Sequence, residues 1–515
     1  DVIASLVDKS LVTAAGDGHV RYGLLETVRA YAAGRLAESG EADLVAAAHA
    51  AYFLDLAERA EPQLRSRDQV AWLELLSADH DNLSAALRNV VAAGDVSVAL
   101  RFFRSLAWFW ILRNYDTEAR EWSTEVLRLA GDAPPDGLSE EYAICHIVAT
   151  ITKAMSDINA MSDASGDHGR ALEVLSQLTL PAEPNHPLLA MAVPMLSFMG
   201  GDAEGAYKQL QALPEHRDPW VMATRRTMTG HLGLNAGDVE SAAVDLADGR
   251  AMFEELGDRF GLVGCLVGQA QVAIAQDRPD EAVRALEQAR EHAAALSGDM
   301  GGVLGIGLGE ARARAGDVEG ARADLQDGVR SAELAGELDD AASGYVQLAE
   351  LARHAGDLAG ASDQLQRALS IVDTRLQRPD MFAVAATTFS RLGCIAEQEG
   401  DLTGAATWQQ RAIDVLSGGP DDHKGVVAIL PINRTLATVV DGIAALAAAR
   451  GEHARAAELL GLANALQGFS DAWSLEVTRA TAAARAALGD ADFEAAYARG
   501  RNRDGAKAEA LALRP

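Results

Sequence analysis

Between Thr224 and Leu416 a polar turn followed by an alanine- and leucine-bearing stretch returns five times. It reads AGDVESAAVDL from Ala236, DRPDEAVRALEQA from Asp277, AGDVEGARADL from Ala315, AGDLAGASDQLQRAL from Ala355 and EGDLTGAATWQQRAI from Glu399. The alanines in matching register after each turn are Ala242, Ala282, Ala321, Ala361 and Ala405, so the steps are 40, 39, 40 and 44 residues. A fixed period of that size predicts a solenoid of helix pairs.

The residues inside each period say why. Twelve positions before each of those alanines stands Gly230, Ala270, Gly309, Ala349 or Gly393. Two small residues on facing helices let the backbones approach where a hairpin's helices cross. Between them Gly237, Gly316, Gly356 and Gly400 suit the left-handed position that ends a helix. The next residues, Asp238, Asp317, Asp357 and Asp401, can cap the following helix through its unpaired N–H groups. Ala289, Ala368 and Ala412 supply a third small site, where the next hairpin should lean.

The flanks carry other patterns. Val2, Ile3, Leu6 and Val7 predict a short amphipathic helix. Leu11–Ala14 and Val20–Leu24 flank Gly-Asp-Gly at 16–18, a plausible β-hairpin. A second helix is expected over Glu26–Ser39, then four or five more up to Ala130. Arg101–Trp122 is the most aromatic stretch and reads as core against the first repeats, with a partner-docking pocket as the alternative. Gly131–Gly137 and Pro181–Pro187 read as loops. A degenerate hairpin is expected between them, with its turn at Gly166–Ala171, and another turn at Met199–Ala206. Ser417–Gly425 should interrupt the array. Arg450–Ala456 restarts it, Gly489–Ala495 ends it, and the polar tail from Arg499 should fray.

Composition narrows the class. Aromatics make up only 5% of the 515 residues and β-branched runs are short, which favours an all-α fold with one small hairpin. The net charge of −30 argues against a nucleic-acid surface, because phosphate binding needs clustered Lys and Arg. Cys145, Cys265 and Cys394 read as reduced core residues of a cytoplasmic protein. No apolar run is long enough to span a bilayer. The chain starts on Asp1 inside a helical pattern without Met, and is read as the rear part of a longer protein.

Phe389, Leu392, Gly393, Ala396, Ala405 and Ala412 resemble the tetratricopeptide repeat, as do Tyr345, Leu348, Ala349, Ala352, Ala361 and Ala368. The period exceeds that family's usual ~34 residues. The surplus falls near Glu255–Arg259, Leu296–Met300 and Leu334–Leu338. The opening SLVDKSLV, with RYGLLETVRAYAAGRLAESGE after it, resembles the end of the winged helix in NB-ARC (STAND-type) signalling ATPases. The nearest resemblance is to the SARP-class, AfsR-like activators of actinobacteria. His49–Leu64, Trp72–Arg88, Ala456–Gly468 and Ala482–Arg501 resemble later segments of the same proteins. That resemblance implies residues 1–40 as the end of a winged helix and 41–130 as a helical connector. It implies repeats over 131–416 and C-terminal repeats with a cap over 417–515. Many such winged helices carry a His-Asp pair that helps hold ADP; here Leu25 and Glu26 stand there, and His19 in the wing is the nearest substitute. Leucine cannot donate to a phosphate.

Chemistry is sparse. No Gly-Lys pair exists, so there is no P-loop, and no G-x-S-x-G elbow occurs. His80 between Asp79 and Asp81 reads as a helix start rather than a metal site. GGVLGIGLGE at Gly301–Glu310 reads as a soft first helix, not a dinucleotide fingerprint. These absences predict no enzyme activity, with ATP or ADP expected only on an upstream domain. The expected role is a sensor arm that binds a protein or small ligand and controls an upstream ATPase and DNA-binding domain, with no direct DNA or membrane contact. A free-standing scaffold, or the same rear half behind a LuxR-type regulator or a nucleotide cyclase, remains open. The first helix of each pair should line the groove. Its inward side chains are then Met228, His231, Gln271, Glu310, Arg314, Gln347, Glu350, Arg353 and Arg391. They form either a peptide-binding wall or a solvated one.

Overall fold

The computed structural model describes residues 2–15, 20–156, 164–178, 180–181, 184–199, 202–296, 301–376, 381–417, 432–502 and 505–515. The chain is all-α, with one two-stranded sheet among the described residues. It opens with α1 (Val2–Asp8), β1 (Thr13–Ala15), β2 (Arg21–Gly23) and α2 (Glu26–Ser39). The strands are antiparallel with Ala14 opposite Tyr22, as the pattern predicts. Arg21 ties this hairpin to Asp79 at 2.8 Å.

A connector follows, made of α3 (Ala42–Ala60), a 3-10 turn at Glu61–Arg65, α4 (Gln69–Ala78), α5 (His80–Ala93), α6 (Val96–Leu112) and α7 (Asp116–Ala130). Its centre is α6, whose Phe102, Phe103, Phe109 and Trp110 are fully buried. Trp108 meets Trp220 and Phe260 edge-on, each at 5.4 Å. The aromatic stretch is therefore core, sealing the connector onto the first repeats. Buried Asp258 clamps the same junction, accepting from Gln69 and Trp220 at 2.7 Å each.

Next come α8 (Ser139–Ser156), α9 (Ala164–Gln177), α10 (Pro187–Met199) and α11 (Ala203–Ala212). Here one expectation is corrected. Gly166–Ala171 is no turn but the first half of α9, because the following Leu172 and Leu175 sit at helical spacing against the core.

The array proper pairs α12 (Pro219–Ala236) with α13 (Val239–Leu256), and α14 (Arg259–Ala275) with α15 (Pro279–Leu296). It continues with α16 (Gly301–Arg314) and α17 (Val318–Ala335), α18 (Leu338–His354) and α19 (Leu358–Arg375), α20 (Met381–Gln398) and α21 (Leu402–Ser417). Gly237, Gly316, Gly356 and Gly400 take φ of 77 to 87°. Each following aspartate accepts from the backbone N–H three residues on. The small pairs are required by contact: a Cβ on Gly309 would lie 2.5 Å from Leu325 Cγ and 3.0 Å from the Ala321 carbonyl. The long period is a matter of helix length. Glu255 and Leu256 still belong to α13, and only Gly257 and Asp258 separate it from α14. At Leu334–Leu338 likewise, α17 runs to Ala335 and α18 starts at Leu338, so in both places the surplus is helix and cap; of Leu296–Met300, residues 297–300 lie outside the described residues.

Of Ser417–Gly425, Ser417 ends α21 and the rest lies outside the described residues. The chain resumes with α22 (Ile432–Ala449), α23 (His453–Gln467), α24 (Leu475–Leu488), α25 (Asp490–Arg501) and α26 (Ala506–Leu511). The tail does not fray: α26 buries Ala510, the Leu511 carbonyl accepts from Ser417, and the Arg514 carbonyl accepts from Arg455. Ala506, Ala510 and Leu511 share one side of it, which packs on α21, α22 and α23.

Candidate functional site

The nine expected groove residues separate into two groups. Five of them converge: Glu310 and Arg314 on α16, Glu350 and Arg353 on α18, and Arg391 on α20. They sit on the first helices of three successive pairs, as the register requires. They do not line an open wall. The chain's own segment from Gly468 into the first turn of α24 lies across them.

Asp471 takes a two-pronged hydrogen bond from Arg314, at 2.9 and 3.0 Å. Trp473 follows, with the Arg314 guanidinium 4.8 Å from its ring centroid and His354 stacked on it at 3.9 Å. Glu476 accepts from Arg353 and, at 2.9 Å, from Arg391. Arg353 also reaches Glu350 at 2.6 Å, and Arg479 reaches Glu397 at 2.8 Å. At the other end Glu310 is shared by Arg314 at 3.2 Å and Arg434 at 3.0 Å. The result is a ladder of alternating charge that locks α24 into the groove.

Burial sets its electrostatics. The Arg353 and Glu476 side chains are both 0% exposed. Burial alone would raise the Glu476 carboxyl, but Arg353 and Arg391 overturn that and hold it at about 2. Burial likewise works against the charge of Glu310 and Asp471, and the adjacent guanidiniums outweigh it, so both are lowered. Asp441, buried nearby, is pushed well up by burial and by Asp471, which outweigh Arg391. Burial there favours its neutral form, opposite to the carboxylates of the ladder.

The remaining expected residues behave differently. Met228 packs against the connector core, so its place is the core and not the groove. Gln347 is half-buried. His231 sits half-buried with Nε2 3.1 Å from the Gly264 carbonyl, and burial lowers its basicity. Gln271 is exposed. His231 and Gln271 line a cavity between α14 and α16. His19 lies outside the described residues. His80 opens α5 and meets Glu118 at 2.6 Å, an ordinary side-chain pair. Among the described residues no cluster of His, Cys, Asp or Glu could hold a metal, and no helix is long and apolar enough to cross a membrane.

Asp471, Trp473, Glu476 and Arg434 escaped the sequence reading. Asp471 is 157 residues from Arg314, and no local pattern ties the two. The one available signal was SDAWSLE (470–476), a turn carrying two acids and an indole before a helix.

No known family profile matches the chain. It is similar to proteins named "Putative HTH-type transcriptional regulator" in Mycobacterium bovis and in two strains of Mycobacterium tuberculosis, with 26% identity over 97% of its length. The chain spans 59% of the length of these relatives. Among solved structures it is similar to a Rap protein complexed with competence and sporulation factor, at TM-score 0.47, 11% identity and 67% of this chain against 100% of that one. It is also similar to human IFIT1 with a capped RNA, at TM-score 0.40, 14% identity and 85% against 95%. Yeast Tom70 gives TM-score 0.33, 13% identity and 84% against 95%.

Proposed function

We propose that this chain is the regulatory repeat arm of a STAND-type, AfsR-like transcriptional activator. In this reading residues 1–40 end a winged helix, and an NB-ARC ATPase that holds ATP or ADP lies upstream with a DNA-binding domain. The arm works in the cytoplasm, senses a protein or small ligand on its inner face, and keeps the ATPase inactive until it does. One observation carries the reading: similarity to HTH-type regulators runs along 97% of this chain but only 59% of theirs. A helical solenoid with a self-occupied groove supports it, since a ligand that displaced the segment would open the groove. Leu25, which takes the expected His position and is largely exposed, leaves the nucleotide to upstream residues.

The test uses the full-length protein with Glu476→Gln, which weakens the lock but keeps the side-chain shape. Higher basal ATPase turnover and higher basal transcription from a target promoter are expected. Unchanged basal values in a variant whose arm melts earlier would sink the proposal.

A further inference from the structure

Where the charge ladder ends, the inner face turns apolar. A cavity of about 380 Å³ lies between α14 and α16, within the ~300–1,000 Å³ range of small-molecule sites. Among the described residues its walls include Phe260, Val267, Ile274 and Val303. Phe260 and Val303 are 37% and 49% exposed, large apolar surfaces left open on the same side.

Its glycines are informative. Glycine weakens a helix interior, so each one needs a reason. Gly309 has one in Leu325, and Gly305 has one in Gly328, whose Cα would lie 3.1 Å from an added Cβ. Gly264 and Gly307 both line the cavity and have none. A Cβ at Gly264 would meet nothing nearer than Thr227 Cγ2 at 3.7 Å, and one at Gly307 nothing nearer than Leu286 at 3.8 Å. Packing does not demand them; their missing side chains keep the cavity open.

One end is polar. Glu310 and Arg434 both line it. A guanidinium carries five N–H donors, and Arg434 directs Nη2 to Glu310. Glu310 Oε1 already accepts from Arg314 and Arg434, whereas Arg434 keeps further N–H donors for an accepting head group. A cationic head would have to compete with two guanidiniums for Glu310.

We propose that this cavity binds a small apolar molecule with a single hydrogen-bond-accepting head, a carbonyl or carboxylate. Its body lies on Gly264, Gly307, Val267 and Ile274, and its head accepts from Arg434. The site gives a ligand class to the regulatory reading and rests on it for its consequence. An acceptor competing for Arg434 leaves Glu310 to Arg314 alone, and Arg314 is the residue that holds Asp471 and thus the first rung of the ladder.

The fluorescent probe anilinonaphthalene sulfonate, titrated into the chain at neutral pH, should bind one per chain. Decanoate and decanone should displace it, while decylammonium should not. Gly307→Leu fills the cavity from a position with room for its Cβ. It should cost ~tenfold or more in probe affinity without lowering the melting temperature. Arg434→Gln should weaken decanoate more than decanone, and this comparison decides the matter by itself if the filled variant unfolds. Wild-type probe binding in Gly307→Leu, or equal effects of Arg434→Gln on all competitors, would overturn the site. Binding without any effect on transcription would leave the site standing and remove only the regulatory reading.

Discussion

Glu476 is the residue on which the groove closes. It is ionised although fully buried, because Arg353 and Arg391 outweigh the cost of taking it out of water. Removing one partner of such a pair leaves uncompensated buried charge, which typically costs ~3–5 kcal/mol. Glu476→Ala should therefore lower the unfolding free energy by about that much in urea titrations. A loss below ~1 kcal/mol would mean the ladder is open to water, where exposed pairs are worth that little. A solvated groove would have let Arg314→Ala with Arg353→Ala pass almost unnoticed; the buried geometry reverses that, and the double variant should melt well below wild type. Asp340 shows the opposite sign. Burial, Asp339 and Glu337 raise its carboxyl to about 7, so folding favours its neutral form. Its contribution is fully present below its unfolded value near 3.8 and is lost as pH rises through about 7. Asp340→Asn should raise the melting temperature at pH 8 and change it little at pH 4; equal shifts at both would disprove the assignment.

At the scale of elements, each hairpin is built by a turn, a cap and a small-residue crossing, all within one period. That locality made the array legible: Gly316 and Asp317 do in the structure what their types and spacing require. The crossings predict opposite outcomes for one substitution. Gly309→Ala should destabilise by ~1–3 kcal/mol despite alanine's better helix propensity, because its methyl meets Leu325 and a carbonyl. Gly264→Ala should stabilise by up to ~1 kcal/mol, since it meets only ordinary contacts. Circular-dichroism melts of the pair check both signs together. Where elements depended on distant packing, local signals misled. GDHGRA reads as a turn, yet leucines after it draw it into α9; the polar tail reads as frayed, yet its alanine face docks. The crossing of α23 and α25 escaped notice too, although a Cβ on Gly461 would stand 2.0 Å from the Tyr497 carbonyl.

The whole molecule is a solenoid whose C-terminal helices turn back into its own groove. Glu476, Asp471 and Glu310 all have lowered carboxyls, so the stability they give is present above their unfolded values and lost as pH falls below them. For Glu476 the window runs from about 4.5 down to about 2. Buried Asp441 works the other way and offsets part of the loss. Acid should therefore loosen α24 before the repeats melt, seen as proteolytic cleavage near 468–475 at pH 3 but not at pH 7; cleavage that begins in the repeats would refute this order. With a charge of −30, the chain alone should give no mobility shift with duplex DNA at ~0.15 M salt. Micromolar ATP or ADP binding to it by calorimetry would likewise contradict the upstream placement of the nucleotide. The amino-acid sequence by itself determined the helical class, the repeat register, the turns with their caps, and the placing of Glu310, Arg314, Glu350, Arg353 and Arg391 on successive first helices. Those depend on residues within about 40 positions of one another, and small-residue spacing encodes them directly. Only the tertiary structure decided what those five side chains meet. Ion pairs between Arg314 and Asp471, or between Arg353 and Glu476, span more than a hundred residues. Their strength comes from shared burial, which no single segment possesses until the chain has closed on itself.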